Sequence, residues 1–98
     1  RSDPAKSLRR RVDAFLAKNE GCPDAAAVRI VLLHGGIPER DNPNASTIAR
    51  GAILSNCRAK LGKKRAEAKR RFSTAFEWLQ RHGAIMSVGR GRFVLGSF

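Results

Sequence analysis

Between Lys63 and Leu95 the sequence changes its hydrophobic period once, and that change limits the fold more than any other feature of the chain. In KKRAEAKRRFSTAFEWLQRHG the apolar residues Ala68, Phe72, Ala75, Phe76 and Leu79 fall on one stripe of a helix, which Gly83 closes. AIMSVGRGRFVL then reads as two strands, Ala84 to Val88 and Arg92 to Leu95, joined over glycines. The tip of this hairpin, Gly89-Arg90-Gly91-Arg92, is cationic. It is either a solvated turn or an element that the protein pushes into a partner.

Upstream, helix signals repeat. SDPAKSLRRRVDAFLAKNEG has Asp3 as a cap, Pro4 in the first turn and Gly21 at the end. Its stripe is Ala5, Leu8, Val12, Phe15 and Leu16, which leaves Arg9 and Arg10 outside. CPDAAAVRIVLLHGG follows, with Asp24 as cap and Gly35-Gly36 as stop. The run Val28 and Ile30 to Leu33 would also suit a buried strand, but three alanines and the distance between signals favour a helix. GIPERDNPN reads as a loop, and NASTIARGAILSNCRAKLG restarts a helix over Ala45 to Leu61, capped by Asn44 or Ser46. Leu54, Cys57 and Leu61 are in phase with the stripe that follows. One continuous helix would place Arg65 in the apolar seam and Gly62 in a helix interior, so a break is predicted at residues 62–64. The expected fold is mainly α, with four helices and a C-terminal β-hairpin.

Ninety-eight residues make one domain, and 42% apolar with 29% charged residues suit a folded core. The charge is asymmetric. Twenty Lys and Arg against eight Asp and Glu leave +12 and a pI near 11.5, which favours an anionic polymer: nucleic acid, an anionic membrane surface or an acidic protein. No stretch approaches the ~20 apolar residues of a membrane span, and no signal-peptide pattern opens the chain. The chain begins at Arg1 and its only Met is Met86, so it reads as a domain of a longer protein whose other regions could oligomerise. Cys22 and Cys57 form no CxxC or Cys/His cluster, which argues against zinc and for reduced thiols inside a cell.

FEWLQRHGAIMSVGRGRFVL resembles the C-terminal half of a winged-helix domain. Leu79 looks like the apolar anchor near the end of the recognition helix, Gly83 like the turn residue, and Ile85 like the first inward residue of the wing. GRGRFVL is similar to a wing and its returning strand. The resemblance covers Lys64 to Leu95 and implies that the long helix lies in the major groove of DNA. The remainder departs from the family, which usually has three helices, and Ala45 to Leu61 is longer than the usual second helix. Either the fold is an elaborated winged helix, or Ala45 to Leu61 holds part of the reading surface.

Opposite the core stripe of the long helix lie Lys63, Arg70, Thr74 and Arg81, flanked by Lys64, Lys69, Arg71 and Ser73. Such side chains suit phosphates and guanine edges, and only Glu67 and Glu77 interrupt the positive face. A solvated helix face is the alternative. Arg90-Gly91-Arg92 resembles the Arg-Gly-Arg core of AT-hook motifs, which implies arginines along a narrow, A·T-rich minor groove. Phe93 stands where those motifs usually have proline, and it is expected to anchor the strand inward. A hairpin turn that needs glycine for positive φ is the plain alternative. Arg9, Arg10 and Arg50 supply peripheral charge.

His34 and His82 each precede a Gly at a helix end and read as structural, and Trp78 as cover for the core edge. No catalytic set, metal site or cofactor loop stands out, so no enzyme activity is expected. The aromatics offer no platform for an RNA-binding sheet. The chain reads as a double-stranded DNA-binding domain, with A·T-rich DNA as a candidate target. A transcription regulator, silencer or replication and partition protein, held with DNA in nucleoid or nucleus, would use it. An RNA- or ribosome-associated basic domain and a winged helix for an acidic protein partner remain the alternatives.

Overall fold

Asp24 starts the second helix as expected, its Oδ1 accepting the Ala27 N–H at 3.0 Å. The computed structural model describes residues 4–40 and 46–98. The expected caps at Asp3 and Asn44, the start at Ala45 and the side chain of Ala5 lie outside what it describes. Four helices, α1 (Pro4–Lys18), α2 (Ala25–His34), α3 (Arg50–Leu61) and α4 (Arg65–Arg81), combine with strands β1 (Ile48–Ala49), β2 (Ile85–Ser87) and β3 (Arg92–Leu95). The fold is mainly α with a small C-terminal hairpin, an arrangement compatible with a winged helix.

The core is built from the stripes. All five residues of the α4 stripe are buried, with Cys57 and Leu61 of α3 and Val12 and Phe15 of α1; at the start of α3 it is Ile53 that is fully buried, and the expected Leu54 is half-buried. Phe76 stacks on Phe72 at 5.2 Å and meets the edge of Phe93 at 4.9 Å, so the inward anchoring of Phe93 is observed. The apolar run of α2 is helical and buries Val28, Val31 and Leu32.

Three elements differ from expectation in their bounds. First, α1 stops at Lys18 rather than near Gly21, because the Asn19 side chain donates to the Phe15 carbonyl at 2.8 Å and satisfies one open acceptor. Second, the helix expected over Ala45 to Leu61 begins only at Arg50. Ile48 and Ala49 instead pair antiparallel with Phe93 and Arg92 along the free edge of β3, giving a three-stranded sheet in the order β1-β3-β2. Thr47 and Ile48 are β-branched and gain little from a helix, whereas the open edge offers backbone partners. Third, β2 is Ile85–Ser87 rather than Ala84 to Val88: Val88 already leads into the tip, and Ala84 belongs to the helix stop. The Ala84 N–H reaches the Leu79 carbonyl at 3.0 Å and the Gly83 N–H reaches Gln80 at 3.1 Å, with Gly83 at φ +73. This is a Schellman closure, which needs a left-handed residue and turns the chain directly from α4 into the sheet.

The predicted break falls at residues 62–64. Arg71 holds it in place, its guanidinium donating to the Leu61 carbonyl at 2.6 Å and to both carboxylate oxygens of Asp24, at 2.9 and 3.2 Å. One side chain thus ties the end of α3 and the cap of α2 to α4.

Candidate nucleic-acid interface

Because α4 buries Ala68, Phe72, Ala75, Phe76 and Leu79, its 3.6-residue period turns Arg70, Thr74, Glu77 and Arg81 outward, and all four are exposed. Among the described residues neither Arg70 nor Arg81 has an ion-pair partner, and Glu77 is the one carboxylate on this arc. Three other arginines are neutralised elsewhere: Arg11 pairs with Glu39, Arg29 with Asp13 and Arg71 with Asp24.

The other expected contacts divide. Lys63 and Lys64 precede the helix and are exposed in the α3–α4 turn, not on the α4 face. Lys69 lies on the flank that faces α3. Arg71 is a half-buried strut rather than a free cation, and its bond to Asp24 holds the Asp24 carboxyl below the usual carboxylate range against the opposing effect of burial. Arg50 and Ser73 occupy each other. The Arg50 guanidinium donates to Ser73 Oγ at 3.2 Å and lies over the rings of Phe72 and Phe76 at 5.2 and 5.3 Å. Arg70, Thr74 and Arg81 are the outward set.

In the hairpin, the Val88 N–H donates to the Arg92 carbonyl at 2.9 Å and the Arg92 N–H to the Gly89 carbonyl at 3.0 Å. The two central residues of that last turn, Arg90 and Gly91, have φ of +56 and +68, the signature of a type I′ turn. Arg90 is the sole non-glycine residue with positive φ among the described residues. Nothing lies within 4 Å of where a Cβ on Gly91 would be, so the glycine serves the backbone conformation and leaves the tip bare. Arg92 behaves differently from Arg90. It donates from Nε to Thr47 Oγ1 at 2.9 Å and from a terminal nitrogen to the Thr47 carbonyl at 2.6 Å. The Arg-Gly-Arg segment therefore presents one outward arginine at its apex and one tied to the strand entry, not two equivalent arms. Val88, 51% exposed, is the large apolar residue left bare beside this tip.

His82 is arranged for packing, whereas His34 is exposed at the end of α2. His82 Nδ1 lies 3.0 Å from the Trp78 carbonyl, its ring stacked on Trp78 at 4.1 Å, and Trp78 packs edge-on against Phe15. Partial burial, aided by the charges of Lys60, Arg9 and Arg29, moves His34 below its ordinary pKa. Cys57 is fully buried and pushed up to about 11, which makes it a poor nucleophile. Among the described residues no group of His, Cys, Asp and Glu is placed to hold a metal, and no helix is long and apolar enough to cross a membrane.

Sequence motifs gave no notice of Arg58 and Arg65, which share a cleft between α3 and α4. The signal was the break at residues 62–64, which folds two basic helix ends back on each other. No protein-family model, curated protein or solved structure matches this chain.

Proposed function

We propose that this chain is a double-stranded DNA-binding domain of winged-helix form and not an enzyme. The observation that carries the reading is the outward arc of α4, where Arg70 and Arg81 stand without carboxylate partners opposite the buried stripe. Its setting supports it. A helix, a short strand, two helices and a hairpin that returns beside the first strand resemble the winged-helix order, with α1 added in front. In this reading α4 enters the major groove, and Arg90 reaches the adjacent minor groove or a phosphate. The domain serves a transcription regulator, silencer or replication and partition protein, and it works where DNA is held, in nucleoid or nucleus.

The test is a titration against A·T-rich duplex, G·C-rich duplex and structured RNA over a range of salt. Released counterions should give log K against log salt a slope on the order of −3 to −7, for a few to about eight phosphates neutralised. A duplex slope near zero removes the proposal, and a clear preference for structured RNA transfers the domain to RNA.

A further inference from the structure

The helices α3 and α4 meet in reversed order along their lengths. Arg50, at the start of α3, lies beside Ser73 and Phe76, whereas Arg58, two turns later, lies beside Arg65 at the start of α4. Between them are two adjoining cavities. One of about 290 Å³ is lined by Leu54, Ser55, Arg58, Arg65 and Lys69. The other, about 390 Å³, is lined by Arg58, Ala59, Gly62, Lys63 and Arg65. Arg58 and Arg65 belong to both, so four cations converge on one cleft.

Among the described residues no carboxylate lines either cavity. The Glu67 carboxylate rests beside Gly62 at the edge, and it makes no ion pair within 4 Å with any of the four. All four are exposed, so an anion seated there meets positive charge on several sides and no competing ion pair among the described residues. Two guanidiniums match a tetrahedral phosphate with paired N–H donors, and Ser55 adds a hydroxyl. The walls between them, Ala59 and Gly62, are small enough for a polymer to approach. Lys69 at one rim is next in the chain to Arg70 of the outward arc, about 100° further round the helix.

We propose that the α3–α4 cleft is a phosphate seat, in which Arg58 and Arg65 hold a backbone phosphate of the duplex while Lys63 and Lys69 flank it. This rests on the duplex reading and gives α3 a direct part in binding. It also separates the roles of the two surfaces: the cleft fixes where the strand runs, and the α4 arc meets the bases.

The test uses the whole chain with Arg58→Gln and Arg65→Gln combined, a change that suits a helix and keeps polarity. Lys6→Gln with Lys18→Gln, both exposed on α1, removes the same charge elsewhere. For the cleft pair, the salt slope on duplex should become less negative by about 0.9 for each phosphate lost, with affinity at physiological salt down about ten-fold. The α1 pair should keep the parent slope. If the cleft pair keeps it too, the seat is refuted while duplex binding by α4 and the wing stands. In parallel, inorganic pyrophosphate is titrated while backbone amide resonances are followed. Saturable shifts confined to residues around Arg58, Gly62 and Arg65, and absent in the cleft pair, support the seat. Should the parent bind no duplex at any salt, the duplex reading falls and this titration decides alone. Localised shifts then assign the cleft to a free phosphate compound, and their absence overturns it.

Discussion

Arg92 of β3 grips Thr47, the residue before β1, through both the hydroxyl and the carbonyl oxygen, at 2.9 and 2.6 Å. The two residues are far apart in sequence, and the bonds hold the entry to β1 against the strand it pairs with. Removing the guanidinium should loosen β1 rather than unfold the core. Arg92→Ala is expected to lower stability by about 1 kcal/mol, and Thr47→Val, which deletes only the hydroxyl bond, by less. Denaturant midpoints check this, and faster amide exchange at Ile48 and Ala49 locates it. An Arg92→Ala variant with the parent's midpoint and exchange would mean that the bonds contribute nothing.

Arg90 occupies a left-handed position, φ +56, in a turn that favours Asn or Gly. For a residue with a full side chain this conformation costs roughly 1–2 kcal/mol, less where local bonding helps. Arg90→Asn should therefore raise the melting temperature while weakening duplex binding. A fold stabilised at the expense of binding is the mark of strain held for contact with a partner. If Arg90→Asn gains stability and binds duplex as well as the parent, the arginine at the apex has no role in recognition.

The parts legible in the sequence were those fixed by neighbours along the chain. The α4 stripe follows from Ala68 to Leu79, the closure from Gly83, and the hairpin from Gly89 and Gly91, each a local matter of period or φ. The missing strand at Ile48 and Ala49 was not local, since two residues become a strand only because the edge of β3 lies beside them. The same holds for the cations. Arg71 and Arg92 read like contacts for a partner, yet each is engaged by a group about half the chain away, Asp24 and Thr47, with separations of 47 and 45 residues. Composition counts positive charges and says nothing of which ones the fold consumes.

The Asp24–Arg71 pair should make the fold sensitive to acid. Hydrogen bonding from Arg71 lowers the Asp24 pKa, assisted by the Ala27 N–H and the Arg71 charge. A carboxylate depressed in the folded state adds stability above its unfolded pKa of ~3.9, and that stability is lost as pH falls through the lower folded value. Asn caps a helix about as well as Asp, so Asp24→Asn isolates the ion pair from the cap. Urea midpoints should separate parent from variant clearly at pH 7 and converge toward pH 3. An equal gap at both pH values would assign the difference to something other than ionisation.

Adjacent faces of α4 should separate binding from stability. Arg70→Ala and Arg81→Ala, both exposed, should each weaken duplex binding by roughly 1 kcal/mol and leave the melting curve nearly unchanged. Phe72, fully buried and stacked on Phe76, should cost ~3 kcal/mol or more of stability as Phe72→Ala. Arginine variants that bind like the parent would move the reading surface off α4.

Base preference offers the sharpest test of the wing, because its two arginines are not equivalent. In a narrowed, A·T-rich minor groove a guanidinium loses its water more readily than an ammonium does. Only Arg90 points outward to use that difference, while Arg92 is held by Thr47. Arg90→Lys keeps the net charge at +12, so phosphate attraction is largely preserved. It should narrow the gap between A·T-rich and G·C-rich duplexes by more than it lowers the mean affinity. Arg92→Lys should leave the gap in place and show its effect in stability instead. Gly91→Val would be a poor probe of close approach, since φ +68 strains any β-branched residue before DNA is added. Competition titrations of the two lysine variants on paired duplexes decide the matter. If both variants keep the parent's full gap, the wing touches phosphate alone, and any reading of base composition falls to Arg70, Thr74 and Arg81.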